Sequence, residues 1–109
     1  MNEAYFLYCE EIDWALRARE RFRSGVAIES LIYHKAGSAI GSKRATVSRS
    51  AISAYYLSRA SRMVALRYHA YGLPGLFGVI CLTAIQDLVT GYPGTAFARL
   101  RGFWGLARR

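Results

Sequence analysis

The sequence predicts an α+β domain that is mostly helical, made of short strands plus amphipathic helices. Residues 5–19 place acids before arginines, an order that complements the dipole of a helix. Residues 26–34 are rich in β-branched side chains, which favour strands. Residues 51–71 repeat apolar side chains near helical spacing. With 109 residues, of which 53% are hydrophobic, the sequence has room for one domain and is not a disordered polar tail.

The first predicted element is a short N-terminal helix. Three acids stand at its start: Glu10, Glu11 and Asp13. Asp13 precedes Arg17 by four residues, which is the favourable order for an ion pair on one helix face. Glu11 has Trp14 and Ala15 at the corresponding positions, so its carboxylate has no counterion within its own helix. It is either a solvated acid that favours the helix start or a carboxylate free for another role.

Residues 26–34 are expected to form two short strand pieces, because Glu29 and Ser30 interrupt the apolar run. His34 closes this segment, either as an ordinary hydrogen-bonded side chain or as a ligand. Residues 35–50 follow and are rich in Gly, Ser and Ala, with four cations. They indicate either a mobile loop that closes over a substrate or a solvated linker.

A second helix is predicted over residues 51–71, ended by the Gly-Leu-Pro-Gly run at residues 72–75. Residues 76–89 are the most apolar part of the sequence. They are shorter than the roughly 20 residues that cross a bilayer, and Asp87 interrupts them. The run therefore predicts a buried or interfacial helix, followed by a turn at residues 91–94.

The last fifteen residues interleave aromatic and apolar side chains with arginines, a composition typical of a helix that lies among lipid headgroups. Gly102 and Gly105 weaken this segment as a free helix, which favours folding on contact with lipid. The predicted membrane contacts are Arg99, Arg101, Phe103 and Trp104.

Charge is divided unevenly along the sequence. Residues 1–34 hold six acids and four arginines, a net charge of −2, whereas residues 35–109 hold eleven lysines and arginines and one acid, a net charge of +10. The basic part favours an anionic membrane surface as partner, and a solvated surface without a partner stays open. Nucleic acid is not the expected partner, because no nucleic-acid-binding motif is present. Cys9 and Cys81 are expected to be reduced cytosolic thiols, and a disulfide between them is the alternative.

Several motifs follow one another in a fixed order. They are Tyr-Phe-Leu-Tyr at residues 5–8, Glu10-Glu11, Asp13-Trp14, Leu16-Arg17, Tyr33-His34-Lys35 with Gly37 and Ser38, and Tyr-Tyr-Leu-Ser-Arg at residues 55–59. This series resembles glycosyltransferase family 2, the inverting nucleotide-sugar transferases, and within it the bacterial rhamnosyltransferase-like branch. The sequence departs from the family at Glu11, where the family usually has Asp.

The resemblance implies the C-terminal fragment of a GT-A-type nucleotide-diphospho-sugar transferase fold. It also implies transfer of a sugar from a nucleotide-sugar donor to a glycan or lipid-linked acceptor in cell-surface polysaccharide synthesis. By motif position Glu11 is the general base, while Asp13 and Trp14 orient the site and Arg17 holds Asp13. The remaining residues implied by the resemblance are His34 for the metal or donor diphosphate, and Lys43 and Arg44 for the acceptor or its phosphate.

Full-length members of the family hold a divalent cation, Mg or Mn, through an Asp-x-Asp motif in an N-terminal donor-binding half. The only aspartates here are Asp13 and Asp87, so we do not expect this chain alone to bind the ion. The donor-binding half is then expected on a separate chain, or the sequence is a truncated product that is inactive alone.

The resemblance and the charge pattern together divide the sequence in two. Residues 1–50 are expected to be an acceptor-side catalytic segment, and residues 51–109 a helical, basic, membrane-proximal region. The expected location is cytoplasmic, peripheral at the inner face of the bacterial cell membrane. The alternative interpretation is a non-catalytic remnant or a small basic membrane-surface protein.

Overall fold

The computed structural model describes residues 3–23, 25–33 and 50–106, and in these ranges the protein is helical. Four α-helices lie in the described ranges: α1 Glu10–Ala18, α2 Ala51–Tyr68, α3 Leu73–Val89 and α4 Pro93–Trp104. A short 3₁₀ turn at Ala70–Gly72 joins α2 to α3. Helix accounts for 68% of the described residues.

The predicted α+β class is wrong for the described part of the chain, which contains no strand and no sheet. A GT-A fold is organised around a central β-sheet, so that fold is not what residues 3–23, 25–33 and 50–106 form. In the segment predicted as strands, Val26 and Ile28 are about nine-tenths exposed, and the Ser30 N–H donates to the Ala27 carbonyl in a turn. β-branched residues favour extended backbone, but a strand also needs a neighbouring strand to receive its hydrogen bonds.

The helix predicted near the N-terminus is confirmed as α1. It carries its acids in the first turn and Arg17 in the last turn, as the dipole argument requires. Asp13 is the one residue of α1 that is buried. The face of α1 that contains Asp13 is therefore the face that attaches the helix to the rest of the protein.

The second predicted helix is confirmed as α2, and it ends three residues earlier than expected. At its start, the Ser50 side chain accepts a hydrogen bond from the Ser53 N–H at 3.2 Å, which caps the first turn. At its end, His69 leaves the helical conformation with a φ of −147°. The Gly-Leu-Pro-Gly run is therefore not needed to end α2.

The Gly-Leu-Pro-Gly run begins α3 instead. Pro74 lies in the first turn of this helix, where a missing N–H is tolerated because first-turn N–H groups have no acceptor within the helix. With the 3₁₀ turn, the helical run extends over Ala70–Val89, a length of 20 residues. The structure thus lengthens the apolar helix that the sequence placed at residues 76–89.

Helix α4 packs between α2 and α3. Each of these two helices contacts α4 more extensively than it contacts the other. Gly102 lies so close to α2 that a Cβ there would overlap the carbonyl oxygen of Tyr55. Gly105 ends α4 with a φ of +70°, a conformation that glycine adopts without steric cost. Beyond it, the Tyr55 hydroxyl donates to the Leu106 carbonyl at 2.8 Å. The two glycines that weaken α4 in isolation are therefore the residues that let it dock on α2 and end.

A buried ion pair joins α3 to α4. The Nε and Nη2 atoms of Arg99 both donate to Oδ2 of Asp87, at 3.0 and 2.8 Å. The side chains are 11% and 8% exposed, respectively. Because the partners lie on opposite sides of the turn between the helices, the pair fixes how α3 and α4 are aligned.

Candidate functional site

The acidic motif begins directly after a tight turn. Tyr8 and Cys9 both have left-handed backbone conformations, with φ values of 70° and 63°. Such conformations cost on the order of 1–3 kcal/mol each for residues other than glycine. The Cys9 carbonyl accepts the Asp13 N–H at 2.9 Å, which starts the helix at Glu10. The turn therefore places the acids at the N-terminal end of α1, where the helix dipole stabilises negative charge.

Asp13 anchors α1 to α2. Its side chain is fully buried, and its Oδ2 accepts the Nε–H of Arg17 at 3.0 Å, which confirms the predicted ion pair. Its Oδ1 accepts the hydroxyl of Tyr68 at 2.8 Å and lies 3.6 Å from Nη1 of Arg67. Both arginines stay about half exposed. Three groups from two helices thus hold one carboxylate, so the orientation of α1 is fixed by Asp13.

Two tyrosines share the surroundings of Asp13. Loss of solvent around its phenol, together with the hydrogen bond to Asp13, raises the pKa of Tyr68 above its ordinary value. Burial raises the pKa of Tyr5, and the negative charge of Asp13 adds to the effect. Both phenols therefore stay protonated at neutral pH, and Tyr68 keeps its hydrogen for Asp13.

Glu11 lies on the opposite side of α1 from this anchor. It is exposed, and Trp14, one turn further along the same face, is 58% exposed. Within the described residues, the Glu11 side chain forms no hydrogen bond and no ion pair. The carboxylate predicted to be the base is therefore open to solvent beside an aromatic ring.

Glu10 and Cys9 differ from Glu11 in their access to solvent. One carboxylate oxygen of Glu10, Oε2, is shielded from solvent and has no hydrogen-bond partner in the described part of the chain. Burial raises the pKa of the Cys9 thiol, and a hydrogen bond with Ser61 partly offsets that effect. A thiol with a raised pKa is a poor nucleophile at neutral pH. Of these three neighbours, Glu11 is the one whose titratable group faces outward.

Three of the predicted site residues lie outside the described residues: His34, Lys43 and Arg44. So does most of the predicted loop at residues 35–50. The proximity of these side chains to Glu11 remains a prediction from the resemblance.

The four predicted membrane contacts are divided between two sides of α4. Arg99 and Phe103 are buried, the former against Asp87 and the latter 5.1 Å from the Phe77 ring, measured between centroids. Arg101 is half-buried and Trp104 is 60% exposed. Of the four predicted membrane contacts, Trp104 is therefore the most exposed, whereas Arg99 and Phe103 pack against α3.

A second candidate surface lies on α3. In the described part of the chain, the one helical run long and apolar enough to cross a membrane is Ala70–Val89, and 17% of its apolar window is buried within the protein. The outer face of α3 is defined here by four exposed residues: Val79, Leu82, Ile85 and Val89. Asp87, the one charged residue of this fully described helix, faces α4 instead.

The sequence did not predict Arg67 and Tyr68 as partners of Asp13, or Arg99 as the partner of Asp87. The first two lie more than fifty residues from Asp13 in sequence. An (i, i+4) rule finds contacts within one helix only. A buried aspartate in an apolar run is, however, a signal that a cation must lie nearby.

Comparisons with protein-family models, with curated proteins and with solved structures return no match for this chain. The resemblance to family 2 glycosyltransferases therefore depends on the motif residues themselves.

Proposed function

We propose that these 109 residues form the acceptor-side part of an inverting glycosyltransferase of the family 2 type, whose donor-binding half lies outside them. The observation that supports this most directly is the contrast within α1. Asp13 is buried and held by three groups, whereas Glu11, two residues earlier, is exposed and unpaired among the described residues. A general base needs a rigid support and an accessible carboxylate, and α1 provides both.

In this proposal Glu11 accepts the proton of an acceptor hydroxyl as that oxygen attacks the anomeric carbon of the donor. The bond from the anomeric carbon to the nucleoside diphosphate breaks on the opposite face, and the configuration inverts. Proton transfer by a positioned carboxylate contributes about 10²–10⁴-fold to a rate. Trp14 lies beside Glu11 and offers an apolar surface for the face of a sugar ring.

In the family that the motifs resemble, a divalent ion, Mg or Mn, neutralises the negative charge of the leaving diphosphate. The described residues do not fit such an ion: no group of three or more His, Cys, Asp or Glu side chains comes together in them. Asp13 and Asp87 are both engaged by arginines. The metal ligands are therefore expected on the donor-binding half, and no step is assigned to the ion here.

We place this reaction at the cytoplasmic face of the bacterial cell membrane, where a lipid-linked acceptor would be presented. The long apolar helix Ala70–Val89 and the excess of cations in residues 35–109 support a membrane location.

The second candidate is a small basic membrane-surface protein that keeps the acidic motif without catalysing transfer. It is favoured by the same apolar helix and by the absence of strands from the described residues. It differs from the first proposal in one respect that can be measured, namely whether Glu11 contributes to turnover.

The test joins this chain to the donor-binding half of a family 2 transferase whose donor is known. Transfer of labelled sugar to acceptor is measured for the parent chimera and for its Glu11→Gln variant. We expect Glu11→Gln to lower kcat by about 10²–10⁴-fold with donor affinity unchanged, since the amide cannot accept the proton. The matched control is Glu20→Gln, which neutralises an exposed acid beyond the end of α1.

Equal rates for Glu11→Gln and the parent chimera would refute the assignment of the base. A chimera that binds donor but transfers no sugar would favour the non-catalytic alternative.

A further inference from the structure

We propose that the outer face of α3 is a membrane-docking surface, and that α3 lies in the plane of the bilayer with this face in the hydrocarbon boundary and α4 behind it. The proposal refines the membrane location suggested above and does not depend on the sugar-transfer reaction. It also assigns the lipid contact to α3, whereas the sequence pattern had assigned it to the C-terminal residues.

The exposed surface of α3 is mainly apolar. The four residues that define the outer face are between 56% and 83% exposed, and the polar residues beside them are Gln86 and Thr83, whose hydroxyl donates to the Val79 carbonyl. An apolar surface of this kind on a soluble protein marks a site of contact with a partner or a membrane. A helix that is apolar around its whole circumference is normally surrounded by protein or lipid, and α4 covers one side of α3.

The one charged residue of α3 faces away from the outer face. Asp87 is buried against Arg99 of α4, with two hydrogen bonds to one carboxylate oxygen. The pair carries no net charge and lies on the side of α3 away from the outer face. Lipid contact by the outer face would therefore desolvate no ionised group, which is the main cost of placing a helix in a membrane.

An exposed tyrosine lies at each end of the helical run. Tyr71 is 86% exposed at its start, and Tyr92, just beyond its end, is 42% exposed. Tyrosines prefer the boundary between hydrocarbon and headgroups, where the ring is apolar and the hydroxyl is wet. The excess of cations in residues 35–109 complements the charge of anionic headgroups.

An orientation in the plane of the membrane keeps the tertiary structure, whereas a transmembrane orientation does not. Helix α4 has 12 residues, so it is about 18 Å long and too short to cross with α3. It also packs against α2, which carries Arg59, Arg62 and Arg67. If α3 crossed the bilayer with its contacts intact, α4 and these arginines would be drawn into the hydrocarbon.

The experiment uses the full chain and vesicles of phosphatidylcholine, with or without the anionic lipid phosphatidylglycerol. We expect cosedimentation with both kinds of vesicle, stronger with the anionic lipid, and a component that persists at high salt because apolar contact is not screened. Leu82→Glu should weaken binding by about 10- to 100-fold, since it places a charge in the centre of the outer face.

The matched control is Leu66→Glu, the same substitution at an exposed leucine of α2, which should bind vesicles as the parent chain does. Circular dichroism of both variants establishes that neither has unfolded. Binding that high salt abolishes and that Leu82→Glu leaves unchanged would overturn the proposal in favour of purely electrostatic contact. Self-association that Leu82→Glu abolishes, without vesicle binding, would show that a second copy covers this face.

Orientation is tested with Tyr71→Cys and with Tyr92→Cys, each introduced alone into a Cys9→Ser, Cys81→Ser background. A membrane-impermeant maleimide added outside sealed vesicles should label both positions if α3 lies in the plane. Protection of one position and labelling of the other would show that the helix crosses the bilayer.

Discussion

The N-terminal segment and the helical bundle each bury one aspartate, and the two carboxylates are held in different ways. Asp13 contacts two half-exposed arginines and Tyr68, at the edge of the molecule. The Asp87 carboxylate is held by Arg99, and that arginine is itself 11% exposed. A buried carboxylate can therefore either orient a helix or stabilise the contact between two helices. Asp13 orients a helix that solvent still reaches, whereas Asp87 is part of the contact that holds α3 to α4.

The largest effect expected from this comparison is on Asp87. The Arg99→Leu substitution leaves an unpaired charge between α3 and α4, which should lower the free energy of unfolding by about 3–5 kcal/mol. Urea unfolding followed by circular dichroism measures the change.

The control is the double variant Asp87→Leu with Arg99→Leu, which removes both charges and should recover most of the loss. A loss below about 1 kcal/mol for Arg99→Leu would show that the pair does not determine the stability of the bundle.

The next effect is on Asp13. The Asp13→Asn substitution keeps the shape of the side chain but weakens its hydrogen bonds to Arg17 and Tyr68, at a cost of about 1–3 kcal/mol. Because Asp13 joins α1 to α2, amide hydrogen exchange should rise in α1 and stay unchanged in α3 and α4.

Glu20→Gln is the comparison variant, since Glu20 is exposed and lies after α1. An equal rise in exchange across all four helices would contradict a local role for Asp13.

The smallest of the three effects is on Tyr68. Tyr68→Phe removes one hydrogen bond to Asp13 and should destabilise the protein less than Asp13→Asn does. Loss of solvent around the phenol and the hydrogen bond to Asp13 raise the pKa of Tyr68 above its ordinary value, so the unfolded state loses this proton first as pH rises. The stability that Tyr68 contributes is thus fully present below about pH 10 and is lost as pH rises through the folded-state pKa.

Thermal unfolding at a series of alkaline pH values measures this effect. Tyr68→Phe should show a smaller loss of stability above about pH 10 than the parent chain. Tyr33→Phe, at a residue that is 91% exposed, should behave like the parent. Identical pH profiles for Tyr68→Phe and the parent would show that the hydrogen bond to Asp13 is not formed in solution.

Local rules predicted the parts of the fold that depend on neighbours in sequence. The Asp13–Arg17 pair follows from a spacing of four residues, and α2 follows from its apolar period. The prediction of strands is wrong for the described residues. β-branched residues favour an extended backbone, but they do not supply the neighbouring strand that completes a sheet. Helix α3 is longer than residues 76–89 because Pro74, a residue that ends a helix when it lies in the interior, is tolerated in the first turn.

At the candidate site, too, the sequence predicted a contact within one helix and missed a contact between two helices. That Glu11 has no counterion in its own helix could be predicted from spacing, and its exposure agrees with that prediction. That Asp13 is fixed by Tyr68 could not, because their contact spans 55 residues and depends on how α1 packs against α2. The role of Glu11 in sugar transfer stays a prediction from the motifs it belongs to.

The central place of α4 has a consequence for how the protein is made. Of the four helices, α4 is synthesised last, and it is the helix that joins α2 to α3. Until it leaves the ribosome, α3 lacks the helix that covers its Asp87 side, and Asp87 lacks its partner Arg99. Such a nascent segment would attract chaperones or the membrane insertion machinery, and only the emergence of α4 brings that interval to a close.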